Sequence, residues 1–407
     1  MVGAGGREHA LAWALGHTAE VVVVPGNAGM ARFGISCAPT LDAAGPVDLV
    51  VIGPEQPLVD GLADQLRSKG TPVFGPGADG AHLEGSKAHL KQVLQRAGVP
   101  TAASRPFRAG EEASAETFLR SMEGPWVVKT DGLAAGKGVM VADDVEDAVA
   151  DVRAKLSGAT FGAAGRTVVI EEGLTGPEVS VLAICDGRTA DDAVVVLPVA
   201  RDHKRVGDGD TGPNTGGMGA FSPVGGVPAD LSEQVLETMV LPTLHTLAAD
   251  GVDYRGVLYA GIMLTPEGPR LLEYNVRFGD PEAQVVVPRL DGDMATLLAS
   301  AAAGRLDPSA ISVRPEACVG VVLAAPGYPA APVTGAAITG LDAAGPLVFC
   351  AGVDEQGGRL VTAGGRVMCV AALGADGPTA RRVAYAAADH VSFEGGALRR
   401  EDIAATA

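Results

Sequence analysis

Short apolar runs rich in β-branched residues alternate with longer stretches of helical spacing through residues 1–100. The runs are Val21–Val24, Val47–Ile52 and Thr71–Phe74, closed by Pro25-Gly26-Asn27, Gly53-Pro54 and Gly75-Pro76-Gly77. Between them, Arg7–Leu15 and Leu58–Lys69 carry apolar residues at intervals that suit one face of a helix. Continuous apolar strands alternating with helices predict a parallel sheet covered on both faces. Ligands of such sheets sit beyond the carboxyl ends of the strands. The Gly-rich turns at 3–6, 25–29 and 53–57 all fall at such ends. Glu84–Ala97 then predicts a helix stopped by Gly98 and Pro100, which closes a first unit, 1–100.

From 101 to about 305 the rhythm changes to strands in antiparallel-looking sets. Trp126–Thr130 is expected to pair with Val139–Val141, and Thr167–Glu171 with Val179–Cys185 and Ala193–Val199. Helices are expected at Val145–Lys155, Leu231–Ala249 and Met294–Ala303, before Gly304 and Pro308 punctuate a second boundary. Residues 306–407 carry short strands at Cys318–Ala324, Leu347–Cys350 and Arg366–Ala372, and one helix at Pro378–His390. The fold class is therefore a multidomain α/β and α+β chain, with a Rossmann-like parallel sheet first and a small α/β unit last.

Composition narrows the chemistry. The 407 residues are 47% apolar and 20% charged, with only 4% aromatic and 56 glycines, which suits a Val/Ala/Leu core in an α/β protein. The net charge is −18, and no basic stripe stands out, so the whole-protein field would repel a nucleic-acid backbone. A small anion can still be held by a local cluster. The cysteines Cys37, Cys185, Cys318, Cys350 and Cys369 are widely spaced with no Cys-x-x-Cys pair, which points away from zinc and towards a reducing cytoplasm. No apolar run reaches the ~18–20 residues that span a bilayer, and no secretory signal is visible, so no membrane partner is expected.

Five segments carry candidate chemistry. In Val127–Val139 a strand ends in Lys129, a Gly/Ala-rich loop turns the chain, and a second strand returns after Lys137. Small residues let backbone N–H groups approach phosphate oxygens, and the lysines add charge. A plain hairpin with two solvated lysines fits the same pattern. Thr167–Leu174 ends a strand in Glu171 and Glu172, with Glu178 soon after, an acid-flanked edge that suits an adenine amino group and ribose hydroxyls. Surface acids at a strand end are the plainer alternative.

In Leu271–Glu282, Glu273 and Asn275 are two residues apart on a strand and share a face. A carboxylate with an amide oxygen suits a magnesium ion that takes its other ligands from water and ATP phosphates. Arg277 follows, where a guanidinium could clamp a carboxylate or a transferring phosphoryl group. Asp202–Gly219 is a long Gly-rich loop with the basic triplet His203, Lys204 and Arg205, expected to lie structureless as a lid over a phosphate, with His203 touching it. The Gly3–His9 turn is a weak dinucleotide-like fingerprint, since Glu8 stands where a third glycine belongs, but the helix behind it suits a phosphate.

Read together, the stretches GAGGREHALAW, PGNAG, GPEQPLVDGL, LEGSKAHLK, VVKTDGLAAGKGV, DHKRVGDGDTGPNTGGMGA, LYAGIML, LEYNVRFGDPEAQ and TAGGRVMCV resemble the ATP-grasp superfamily. Within it they resemble the glycinamide ribonucleotide synthetase (phosphoribosylamine–glycine ligase) family, in order from residue 3 to 370. The resemblance implies a pre-ATP-grasp domain, an ATP-grasp domain with a mobile subdomain at about 122–187, and a C-terminal domain. It implies that ATP, glycine and 5-phosphoribosylamine give ADP, phosphate and glycinamide ribonucleotide through glycyl phosphate, with Mg²⁺ or Mn²⁺, in a cytoplasmic monomer.

Carried over by residue, Lys87, Lys129, Lys137, Glu171, Glu172, Leu174, Glu178 and Lys204 are implied nucleotide contacts, and Glu273 and Asn275 the metal ligands. Gly5, Gly6, Arg7, Glu8 and Glu55 are implied to hold the phosphoribosyl substrate. Asp202, Arg277 and Asp280 are implied where substrate and acyl phosphate meet, with Arg277 and Lys129 catalytic. Only Met1 and Val2 precede the first Gly-rich turn, fewer than the resemblance calls for, so the first strand is expected to be clipped. Leu258–Thr265 lacks the extra carboxylate that many ATP-grasp enzymes carry there, which leaves the number of metal ions open.

Overall fold

The first sheet is parallel and its strands are short. The computed structural model describes residues 1–133, 138–158, 166–345 and 347–407. Val2–Gly3 pairs with Val22–Pro25, which pairs with Ser36–Cys37; on the other side, Val2 bridges Ile52, and Val50–Val51 pairs with Val73–Phe74. The central strand is two residues long, yet Val24 N donates to Met1 O and Gly53 N to Val2 O, so both its edges are satisfied. Chain order reverses at this strand, so a crevice opens beyond its carboxyl end, between the turn at 3–6 and the turn at 53–55.

Two expected helices are each broken in two. Leu58–Lys69 becomes Glu55–Val59 and Leu62–Ser68, separated at Gly61, whose φ of +80° is a left-handed conformation that favours glycine. Glu84–Ala97 becomes Ala78–Gly85 and Lys87–Ala97. Ser86 between them is extended, and its Oγ caps the second helix by accepting from His89 N. Gly98 ends that helix at φ +67°, as its position in the sequence predicts.

Two antiparallel sheets follow. One runs Ser104–Arg108, Thr167–Glu172, Trp126–Thr130, Val139–Ala142, and helices Glu112–Arg120 and Val145–Leu156 pack on it around Phe107, Leu119, Val128, Val152 and Ile170. The other runs Val194–Val196, Glu178–Asp186, Arg255–Thr265, Gly268–Asn275. The expected pairing of Thr167–Glu171 with Val179–Cys185 therefore does not form. Both edges of Thr167–Glu172 are taken by Ser104–Arg108 and Trp126–Thr130, and the turn beyond it is tied back by Gly173 N donating to Pro125 O. Glu178–Asp186 instead takes Arg255–Thr265 over its whole length.

A third antiparallel sheet joins distant parts of the chain: Arg201–Asp202, Gly219–Ser222, Ala317–Ala324, Arg366–Gly374, Val348–Cys350, with helix Gly377–Ala388 against it. The loop at 202–219 is not structureless. Arg205–Gly207 and Thr211–Asn214 form a hairpin, Met218 is fully buried, and Arg400 clasps Asp210 at 2.7 Å and the Arg205 carbonyl at 3.1 Å. One apolar cluster joins the first sheet to the sheets of Arg255–Thr265 and Ala317–Ala324, from Val50 and Leu94 by Leu258 and Tyr274 to Val321 and Val370. No described helix is long and apolar enough to cross a membrane.

Candidate functional site

Strand Gly268–Asn275 lies at the edge of its sheet, and its alternation sorts the side chains as expected. Tyr274 turns into the core, where its hydroxyl meets Thr243 Oγ1 at 3.2 Å. Glu273 and Asn275 turn the other way, into a cavity of about 460 Å³. Beyond the strand end Arg277 enters the same cavity, and so does Asp280. Arg7 and Glu55 reach it from the crevice of the first sheet, Lys87 from the start of its helix, and Asp202 and Lys204 from the third sheet and its hairpin. Nine residues singled out from the sequence thus converge on one cavity (Arg7, Glu55, Lys87, Asp202, Lys204, Glu273, Asn275, Arg277, Asp280).

Others are not part of its lining. Lys129 is buried, 3.2 Å from the Glu171 carboxylate, and donates to Leu272 O at 3.2 Å. Glu171 is shared with Lys91 at 3.0 Å, and its Oε1 has no partner among the described residues. Glu172 accepts from Ala103 N, Leu174 is half-buried in the turn that follows, and Glu178 pairs with Lys204. Gly5, Gly6 and Glu8 form the floor under Arg7: Glu8 accepts from Gly5 N at 2.6 Å and pairs with Arg7 at 2.5 Å. A Cβ on Gly53 would sit 2.2 Å from Glu8 Oε1, so this close approach of two strand ends needs glycine. Lys137 lies outside the described residues. His203 corrects its expected phosphate contact. Its ring is buried against Phe221 and the chain end, where Ala404 N donates to Nε2, and it does not line the cavity.

Among the described residues, five basic side chains (Arg7, Lys87, Lys204, Arg277 and Arg366) line this cavity beside six acidic ones (Glu55, Glu84, Asp202, Glu273, Asp280 and Glu282), so opposite charges are interleaved there. Burial alone would push the Glu273 carboxyl up, but Lys129, Lys204, Lys87 and Arg277 outweigh it and hold it below the ordinary value. Burial pushes Lys87 down, with Glu273 the chief opposing charge. Burial pushes Asp202 up to about 6 and also raises Glu178, although Lys204 stands between them. Lys204 rises above its ordinary value because Asp202 and Glu178 together outweigh its burial. Asp280 is held low: burial opposes, but Arg366 and Arg7 prevail.

The donor set fits a hard divalent cation. Glu273 is kept ionised and Asn275 adds an amide oxygen, which at present accepts from Arg277 at 3.2 Å. Among the described residues no group of three or more His, Cys, Asp or Glu could hold an ion alone. An ion here would depend on water and phosphate oxygens for its other ligands, as magnesium with a nucleotide does.

Sequence reasoning missed several lining residues. Glu84 accepts from Val276 N at 2.8 Å and pairs with Arg277 at 3.0 Å. Glu282 is buried and accepts from Tyr259 Oη at 2.6 Å and Ser180 Oγ at 3.2 Å. Arg366 pairs with Asp280 at 2.9 Å and donates to the carbonyl of Gly216 at 2.6 Å. Each lies inside a stretch already marked as unusual, but only the packing of remote segments gives it a partner.

Comparison with known proteins identifies the family and the fold. Models of the phosphoribosylglycinamide synthetase N domain, ATP-grasp (A) domain and C domain match residues 1–84, 85–283 and 318–406. A phosphoribosylamine–glycine ligase of Caulobacter vibrioides is 48% identical over 418 residues, covering 98% of this chain and 96% of its own. One of Vibrio cholerae is 45% identical over 421 residues, with the same coverage. The crystal structure of phosphoribosylamine–glycine ligase from Thermotoga maritima superposes with a TM-score of 0.87 at 37% identity, covering 99% of this chain and 98% of that one. A biotin carboxylase domain from Hydrogenobacter thermophilus, 16% identical with a TM-score of 0.73, shares the fold.

Proposed function

Because the chain belongs to the phosphoribosylglycinamide synthetase family, we propose that its central cavity is where ATP drives glycine onto 5-phosphoribosylamine. The chain is an ATP-dependent phosphoribosylamine–glycine ligase of purine biosynthesis, and its reaction gives glycinamide ribonucleotide, ADP and phosphate. It acts on small molecules and uses ATP with a divalent metal. The observation that carries the site reading is the convergence of Glu273, Asn275 and Arg277 with Lys87, Lys204, Arg7 and Glu55 on one cavity.

The reaction runs in two displacements. A glycine carboxylate oxygen attacks the γ-phosphorus of ATP and ADP leaves, giving glycyl phosphate. The amine nitrogen of phosphoribosylamine then attacks the glycyl carbonyl carbon, phosphate leaves, and the nitrogen gives up a proton. Both steps depend on positioning and on neutralising charge, and neither needs a covalent enzyme nucleophile. Lys87, Lys129, Lys137 and Lys204 hold nucleotide phosphates, while Glu171, Glu172, Leu174 and Glu178 border the adenosine. Arg277 clamps the carboxylate and then the transferred phosphoryl group, steadied by Glu55 and Glu84. The floor from Gly5 to Glu8, with Glu55, takes the phosphoribosyl group, and Asp202 and Asp280 border the acyl group. A divalent ion between Glu273 and Asn275 would supply charge neutralisation at the phosphates. Magnesium suits these hard oxygens best, with manganese able to replace it.

The division into 1–100, 101–305 and 306–407, with a mobile part at about 122–187, belongs to the same reading; residues 134–137 and 159–165 of that part lie outside the described residues. So does a cytoplasmic monomer, the cytoplasm supported by five unpaired cysteines. The test is ADP release measured with glycine, with phosphoribosylamine generated in situ, and with both. Release only with both supports the reading. ATP binding without turnover, or turnover with another acid and not with glycine, would overturn it.

A further inference from the structure

We propose that Glu84 is a positioning residue for the ligase reaction, setting Arg277 and the backbone next to Asn275 in register with the Val127–Val139 hairpin. The inference rests on the reading of Arg277 given above. Glu84 stands at the end of helix Ala78–Gly85, and its side chain is only 9% exposed. One carboxylate oxygen accepts from Val276 N at 2.8 Å, and the other meets Arg277 Nη2 at 3.0 Å. The Val276 amide lies between Asn275 and Arg277 in the chain, so a single carboxylate fixes the residues on both sides of it.

Beyond Gly85, residues 86–88 grip the opposite wall. Ser86 Oγ donates to Asp131 Oδ1 at 2.9 Å, Ala88 N donates to the same oxygen at 3.1 Å, and Lys87 Nζ donates to Gly132 O at 3.0 Å. The break between the two helices at Ser86 is what turns Glu84 one way and Lys87 the other. Segment 84–88 is therefore a short rigid joint between the Arg277 strand end and the hairpin.

A charge at position 84 is costly for packing alone. Glu84 is buried beside Glu55, and the field of Glu273 also reaches it. An amide or apolar residue would fill the space with less repulsion, since a buried ion pair adds little net stability. What the carboxylate adds is direction for Arg277. That guanidinium also meets Glu55 at 3.2 Å, Asn275 Oδ1 at 3.2 Å and the Phe278 carbonyl at 3.3 Å, and without Glu84 it is free to settle on those three.

The test is a double-mutant cycle of Glu84→Gln and Arg277→Ala, with kcat and KM measured separately. Glutamine can still accept from Val276 N but turns an NH₂ group towards Arg277. E84Q alone is expected to lower kcat about 10- to 100-fold, with the KM for ATP within about threefold, as for a misplaced catalytic group. In the R277A background it is expected to cost no more than about threefold further. Losses that multiply would show that Glu84 acts independently of Arg277 and would overturn the inference. An R277A enzyme of full activity would overturn the reading of Arg277 itself, a separate result. Should E84Q fail to give a cooperative melt, Glu84→Asp with Arg277→Lys reads the same coupling.

Discussion

Replacing Glu273 by glutamine removes one negative charge and leaves the shape of the strand intact. Four cations, Lys129, Lys204, Lys87 and Arg277, outweigh burial to keep this carboxyl ionised. Glutamine deprives all four of a common counter-charge, and Lys87, which burial already pushes down, loses its chief support. An amide oxygen is also a poorer ligand than a carboxylate for a hard divalent ion. Loss of one preorganised contact to developing charge typically costs ~10²- to 10³-fold in rate, or ~2.7–4 kcal/mol. We expect kcat/KM to fall by that factor and the half-saturating magnesium concentration to rise more than about tenfold, or ~1.4 kcal/mol. Glu273 stays paired with Gly261 and Asn275 with Tyr259 across the ladder, so the melting temperature should move by only a few degrees, roughly the shift of a ~1 kcal/mol change. The assays are ADP release against magnesium concentration, and thermal melting of the metal-free protein. Activity within about threefold with an unmoved magnesium midpoint would refute the metal-ligand role. A melting temperature lower by more than about 10 °C would refute the claim that the loss is local.

Two further outcomes follow from the third sheet and its hairpin. Arg400 is 1% exposed and clasps Asp210, Asp402 and the Arg205 carbonyl. Arg400→Ala should destabilise the fold by about 2–3 kcal/mol, below the range for a fully buried pair because both acids reach solvent. It should also speed proteolytic cleavage within 205–214, and an unchanged cleavage rate would sink the idea that this clasp pins the hairpin. Burial lowers His9 and His203 to about 4 from 6.5. The unfolded chain takes up these protons first, so stability is full above about pH 6.5 and is lost as pH falls towards 4, by up to about 3 kcal/mol for each. Urea unfolding at pH 7 and pH 5 should show the loss, and His203→Gln should flatten the slope; an unaltered slope would refute the assignment to His203.

The candidate segments differed in how far the sequence carried them. Glu273 and Asn275 were legible because a strand has a period of two, so two polar residues flanking Tyr274 on an apolar strand must share a face. The convergence of Arg7, Glu55 and Lys87 was legible only as far as the turns at strand ends were. Lys129 was marked correctly as unusual, but its buried pairing with Glu171, shared with Lys91, depends on a neighbouring strand and on a helix some forty residues earlier. Glu84 lies inside the marked stretch LEGSKAHLK, but its role was not legible there, because its two partners lie beyond residue 270. The loop at 202–219 looked structureless because its glycines hide a hairpin whose anchor, Arg400, sits almost two hundred residues away.

By itself the sequence determined the periodicities: parallel strands closed by glycine turns, and a metal-suited pair on one strand face. These follow from spacing of a few residues, where covalent geometry alone decides which side chains share a face. Tertiary structure decided which strands pair, that Thr167–Glu172 joins Ser104–Arg108 and Trp126–Thr130 in place of its sequence neighbour, and which acid faces which base in the cavity. Those choices depend on burial and on contacts between remote segments. Strand edges can be satisfied by any partner of fitting shape, and a charge's effect depends on what else is brought within a few ångströms of it.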